Sequence, residues 1–226
     1  MKKLLLISAI IICQNSIAQN FKTVKIGEQV WMVENLNVNK FLNGDPIPEA
    51  KTDEEWIKGG EEGKPAWCYN ENKTENATTY GVLYNYFAVK DPRGIAPKGW
   101  HVPADNEWET LINNLGGEYK AGKKMRSQNG WINKGNGTNE SNFTALPGGS
   151  RSHIGDFSEP GDEAMWWSTT ATELYGYPGP GSLAIAPCIL TTSDVEQTEG
   201  DWGGGVQRVP LVTSYMGLSI RCLKDK

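Results

Sequence analysis

Trp108, Leu111, Ile112 and Leu115 recur at i, i+3, i+4 and i+7, and Gly116-Gly117 follows at once. This spacing draws one apolar stripe along an α-helix over about residues 105–115, with Glu107, Glu109, Asn113 and Asn114 facing outward. The glycine pair supplies the left-handed residue that ends such a helix, and Asp105 or Asn106 supplies an N-cap. A stripe of that width has to be buried against something. The partners on offer are short apolar runs, because 26 glycines and 12 prolines punctuate the rest of the chain.

TVKIGEQVWMVENLNV, residues 23–38, alternates around Gly27-Glu28 and reads as a β-hairpin with Trp31 and Val33 on one face. SNFTALPGGSRS, AMWWSTT, SLAIAPCIL and MGLSIRCL read as further strands, and after residue 118 helical periodicity all but vanishes. In MGLSIRC, Leu218, Ile220 and Cys222 fall on one face, with Ser219 and Arg221 on the other. TYGVLYNYFAV, residues 79–89, fits a strand or a buried helical turn equally. Residues 39–79 read as an irregular surface excursion, with a short helical turn at Asp53–Lys58 and a buried interruption near Trp67-Cys68-Tyr69. The expected fold is α+β, loop-rich, with one main helix on small antiparallel sheets.

Residues 1–18, MKKLLLISAIIICQNSIA, combine two lysines, an apolar run and a Ser16-Ile17-Ala18 cleavage pattern, and so read as a secretory signal peptide. The run is about half the roughly 20 residues that a membrane-spanning helix needs. Residues 19–226 then form a single exported domain, secreted, periplasmic or on the outer cell surface. Loss of Lys2 and Lys3 takes the formal net charge from −5 to −7. With no basic cluster, nucleic acid is excluded as a partner class.

In an oxidising compartment two of Cys68, Cys188 and Cys222 are expected to pair. Tying a strand-like closing segment to the body favours Cys188 with Cys222 over Cys68 with Cys222.

The ordered blocks VKIGEQVWMVENLNV, Cys68-Tyr69-Asn70, TYGVLYNYFAV, GWHVPADNEWETLINNLGG, FTALPGG, Trp166-Trp167-Ser168 and GLSIRCLKD resemble the Fibrobacter succinogenes major paralogous domain. The resemblance covers essentially the whole chain after the leader and implies an exported protein. More remotely, HVPADNEWETL with its Gly-Gly and the closing GLSIRC resemble the formylglycine-generating enzyme superfamily, which implies a C-type-lectin-like fold. Members of the family usually place a threonine three residues before the helix glutamate, completing a capping box. Ala104 stands there instead. Relatives also carry a cysteine where this chain has Ala96, so Cys188 is a candidate replacement.

No motif for catalysis emerges. Formylglycine-generating enzymes use two nearby reactive cysteines, and no close pair exists here. His101 and His153 are the only imidazoles, no HExxH or Cys-His metal spacing occurs, and Ser168 and Ser219 lack a GxSxG context. His101, in the approach to the helix, reads as a packed or hydrogen-bonded residue. No cofactor is expected. Calcium is the one ion worth weighing, through Glu159, Asp162 and Glu163 of SEPGDEA.

Nine tryptophans remain to be explained. Trp31, Trp100 and Trp108 occupy patterned positions and read as core. Trp166 and Trp167 are neighbours on a strand and point to opposite faces, which predicts that one is partly exposed. With Trp202 of GDWGGG, Arg151 and Asp156, they form the expected ligand-binding surface. The function this implies is a non-catalytic binding module for an extracellular glycan or protein. The alternatives are a structural or adhesin component of the cell envelope and a degenerate relative of the formylglycine-generating enzymes.

Overall fold

The computed structural model describes residues 21–132, 134–158, 161–173, 183–185, 188–191, 205–208 and 213–226, with residues 172–173, 183–185 and 188–191 described as backbone alone. In chain order the elements are β1 (Thr23–Ile26), β2 (Gln29–Met32), α1 (Asp53–Glu61), β3 (Trp67–Cys68), α2 (Asn76–Tyr80), β4 (Leu83–Tyr84), α3 (Tyr86–Val89) and β5 (Trp100–His101). There follow α4 (Asp105–Asn114), α5 (Glu118–Met125), β6 (Glu163–Trp166), β7 (Ala171–Glu173), β8 (Leu183–Ile185), β9 (Cys188–Thr191), β10 (Val206–Arg208) and β11 (Leu223–Lys224). The class is α+β, with small sheets whose strand pairs are antiparallel.

β1 and β2 form the expected hairpin, Val24 opposite Trp31 and Ile26 opposite Gln29. Gly27 makes its turn at φ +59°, and a Cβ there would lie 2.5 Å from the Asn114 amide, so both the backbone and the helix behind it require glycine. β11 joins this hairpin to β5, giving a four-stranded sheet in the order β1-β2-β11-β5. A three-stranded sheet, β10-β9-β6, and the two-stranded pairs β3-β4 and β7-β8 complete the set.

α4 buries Trp108, Leu111 and Ile112 as its periodicity requires, and Leu115 with them. Its N-cap is Ala104 rather than Asp105 or Asn106. The missing hydroxyl is made good from elsewhere: the Asp105 N–H donates to Thr170 Oγ1 at 2.9 Å, and the Glu107 carboxylate accepts the Ala104 N–H at 2.9 Å.

Three departures from the expected elements have physical reasons. α5 was not anticipated, because it buries Ala121, Gly122 and Met125, a stripe of mostly small residues that leaves little periodic signal. α1 runs further than the expected turn. Its Thr52 Oγ1 accepts the Glu55 N–H while Glu55 accepts the Thr52 N–H, so a full capping box starts it. TYGVLYNYFAV proves to be both alternatives in succession, β4 and then α3, with the whole of α3 buried. Among the described residues SNFTALPGGSRS contributes isolated bridges alone, Ala145 with Arg126, Gly149 with Ala164, and Arg151 with both Phe157 and Gly217, because glycine and proline interrupt its pairing.

Among the described residues the core divides into three clusters. The first gathers Leu36, Tyr84, Tyr86, Trp167, Leu218, Ile220 and Cys222. The second gathers Trp31, Trp108, Leu111, Ile112, Phe143 and Trp166 around α4. The third is smaller, with Trp56, Cys68 and Leu83. Leu218, Ile220 and Cys222 share the first cluster as their alternation predicts, and Ser219 and Arg221 are buried too. The segment leading to β11 therefore runs between two apolar layers.

Candidate functional site

Trp166 and Trp167 do point to opposite sides, but neither reaches solvent: both are 0% exposed. Trp166 packs on Trp108 and Phe143, at 5.8 and 5.9 Å between ring centroids, and Trp167 packs on Tyr86 at 5.5 Å. The expectation that one is exposed fails because both faces of this strand are covered. The indole N–H groups are also committed, Trp166 to Asn35 Oδ1 at 2.8 Å and Trp167 to the Tyr84 carbonyl at 2.6 Å. These two residues are core, not ligand contacts.

Arg151 is likewise buried completely, but its position gives it a task at the surface. It opens a tight turn, Arg151–Phe157, in which the Ser152 N–H donates to the Asp156 carbonyl at 2.7 Å and the Asp156 N–H to Ser152 Oγ at 3.1 Å. From beneath, Nε donates to the Gly155 carbonyl at 3.0 Å, Nη1 to the Ala50 carbonyl at 3.2 Å, and Nη2 to Asp53 Oδ1 at 2.7 Å. The guanidinium lies between Trp56 and Phe157, 4.9 and 4.7 Å from their ring centroids, an arrangement that suits its planar charge. Trp56 adds an indole N–H to the Ser152 carbonyl at 3.1 Å.

The turn held in this way displays His153, Ile154 and Asp156 to solvent, Ile154 being 56% exposed. Asp53 and Glu54, exposed in the first turn of α1, flank it, and a Cβ on Gly155 would lie 2.7 Å from the Asp53 side chain. Of the five residues expected to meet a ligand, Arg151 and Asp156 thus belong to one feature, as anchor and as rim. Trp202 lies outside the described residues. Ile154 was missed in the sequence because an isolated aliphatic residue in a polar turn has no periodic partner.

Two of the three carboxylates weighed for calcium are described. Glu163 accepts the Ser150 hydroxyl at 2.7 Å, Asp162 is exposed, and Glu159 lies outside the described residues. No group of three or more His, Cys, Asp or Glu side chains placed to hold a metal occurs among the described residues.

Cys68 and Cys222 are buried free thiols, so the expected Cys188–Cys222 bridge is not formed. The backbone register places Cys188 opposite Trp166 in the three-stranded sheet, whereas Cys222 directly precedes β11 of the four-stranded one. Burial pushes the Cys68 thiol up to about 11, against the opposing pull of Arg151. It pushes Cys222 up to about 12. Thiols held protonated in this way are poor nucleophiles.

His101 is hydrogen-bonded, as its place before the helix suggested. Nδ1 lies 2.7 Å from Asp225 Oδ1 and Nε2 lies 3.0 Å from Glu107 Oε1, so both nitrogens are occupied.

A second polar grouping surrounds Arg208 on β10. Its Nη1 lies 3.0 Å from Asp105 Oδ2 and 3.7 Å from Glu109, and its Nε lies 3.8 Å from Glu118. One cation therefore ties β10 to α4 and to α5.

These features define an α+β fold in which aromatic residues make the core and a stapled turn makes a displayed surface. A family model, the Fibrobacter succinogenes major domain, matches residues 24–224, and the chain belongs to that family. No curated protein and no solved structure matches it. No described helix is long and apolar enough to cross a membrane.

Proposed function

We propose that this protein is an exported, non-catalytic binding module of C-type-lectin-like architecture that presents the Ser152–Asp156 turn to an extracellular glycan or protein. The observation that carries this reading is the fully buried Arg151, which fixes an exposed turn from within through three hydrogen bonds and two ring contacts. A turn ordered before contact loses less conformational entropy on binding than a loose one. Ile154 offers an apolar contact, and His153, Asp156 and Asp53 offer a polar rim.

The chemistry of the other polar residues favours binding over catalysis. His101 has both nitrogens engaged by carboxylates, and the two described thiols are buried and protonated. Trp202, in the GDWGGG segment between β9 and β10, lies outside the described residues; of the other eight tryptophans seven are buried and Trp100 packs half-buried against the first cluster. Trp202 remains the second candidate contact, since an indole plane stacks on sugar rings and on apolar side chains. The leader-like residues 1–18 support export.

The test is a glycan array and a panel of extracellular proteins, each with and without calcium, probed with the natural chain, with Ile154→Asp/Asp156→Ala and with Trp202→Ala. The expected result is a bound ligand whose retention drops at least about tenfold in the turn variant, a loss of ~1.4 kcal/mol. The unfolding midpoint of that variant should stay close to the natural one. Absence of any ligand, or full binding by both variants, would refute the reading. N-terminal sequencing of exported protein should begin at Gln19.

A further inference from the structure

His101 stands where three parts of the fold meet. It lies in β5, its Cα pairs with Leu223 of β11, and its ring faces both the first turn of α4 and the segment just past β11. Each ring nitrogen meets a carboxylate. Nδ1 is 2.7 Å from Asp225 Oδ1, and Nε2 is 3.0 and 3.1 Å from the two oxygens of Glu107.

An ionised carboxylate only accepts, and a neutral imidazole carries one N–H. The neutral ring can therefore satisfy one of these partners and must present a lone pair to the other. The imidazolium satisfies both.

Both carboxylate residues have a second structural duty. Glu107 Oε2 accepts the Ala104 N–H at 2.9 Å, which closes the first turn of α4, and the Asp225 N–H donates to the Gly99 carbonyl at 3.0 Å. The other elements around the ring bring little further charge. β2 presents neutral Gln29, whose amide donates to the Glu107 carbonyl at 2.9 Å. Lys224 is exposed, in register with Trp100, and Asp105 of α4 is engaged by Arg208. Partial burial opposes a charge on the ring, but the hydrogen bonds that the ring donates to Asp225 and Glu107 outweigh it and hold the imidazole above its ordinary value of 6.5.

We propose that His101 is a proton-operated clamp that, when protonated, joins β5 to α4 through Glu107 and to the segment following β11 through Asp225, and that weakens both ties on deprotonation, when a single N–H has to serve two carboxylates. Because the charged form is favoured in the fold, the clamp is fully closed below about pH 6.5. It opens as pH rises through the higher value of the folded protein. Opening loosens the α4 cap and the β5–β11 edge together.

The experiment is NMR titration of the ring Cε1–H in the full chain carrying His153→Gln, an exposed position, so that one imidazole remains. Amide hydrogen exchange at Ala104 and Asp225 is followed across the same pH range. The expected result is a midpoint above that of an unstructured histidine, with exchange at both amides rising through that midpoint by more than hydroxide catalysis alone. Asp225→Asn and Glu107→Gln should each lower the midpoint, and the glutamine can still accept the Ala104 N–H. A ring that titrates at or below the unstructured value overturns the proposal, and so do amides that ignore the midpoint. Either result can be read on the His153→Gln protein, even if a carboxylate variant folds poorly.

Discussion

Asn35 shows how much a single polar side chain does in this core. Its Oδ1 accepts from Arg221 Nε at 2.9 Å, from Arg221 Nη2 at 2.7 Å and from the Trp166 indole at 2.8 Å, while its Nδ2 donates to the Tyr80 carbonyl at 2.8 Å. Arg221 is 1% exposed, lies over Phe143 at 4.6 Å, and is held by carbonyls and one amide, with no carboxylate in contact among the described residues. Desolvation brings its guanidinium down to about 9. A buried cation held only by neutral acceptors depends on each of them, since losing one leaves charge unsolvated. Asn35→Ala is therefore expected to lower unfolding stability by about 3–5 kcal/mol in a urea titration, with no change in slope. Arg151 is the contrasting case, because it has an acidic partner, Asp53, and supports a surface turn rather than the interior.

At the scale of the element, α4 illustrates what a sequence discloses and what it hides. Its length and buried face follow from the spacing of Trp108, Leu111, Ile112 and Leu115, and its stop from two glycines. Its start does not, because the acceptor that replaces a local cap is Thr170, 65 positions away. Removing that hydroxyl in Thr170→Ala should cost about 0.5–2 kcal/mol, the usual worth of an N-cap. Ala104→Ser, whose hydroxyl adds a side-chain acceptor for the Glu107 N–H beside the Ala104 carbonyl that it meets at 3.0 Å, should return roughly 0.5–1 kcal/mol. Thermal unfolding of the two single variants and the double variant checks both, the double lying between them. α5 escaped notice for a different reason: Ala121 and Gly122 pack through small size, and small residues carry no hydrophobic period.

On the scale of the whole molecule, seven of the eight described tryptophans are spent on the core clusters rather than on a ligand surface. Local alternation correctly sends Trp166 and Trp167 in opposite directions. It has no means of knowing that α4 and Phe143 wait on one side, and Tyr86 and Tyr84 on the other. The part of the site that could be read in the sequence, Arg151 and Asp156, stood out as charge in a turn between expected strands. Its inversion, with the cation inside and Ile154 outside, depends on Trp56, which lies in a segment read as irregular. The clamp at His101 gives the molecule a pH dependence of known sign. Its contribution to stability is complete below about pH 6.5 and is lost as pH rises through the raised folded-state value. Denaturation midpoints measured from pH 6 upward should fall relative to those of His101→Gln, converging on them at alkaline pH.

The account rests most heavily on the division between buried aromatic rings and a displayed turn. Collisional quenching of tryptophan fluorescence by iodide, measured on Trp202→Phe protein in its folded state, tests this directly. The prediction is a quenchable component, to which half-buried Trp100 contributes, that stays unchanged when Trp166→Phe or Trp167→Phe is added, because neither of those rings touches solvent. A quenchable component that either added substitution abolishes would contradict it.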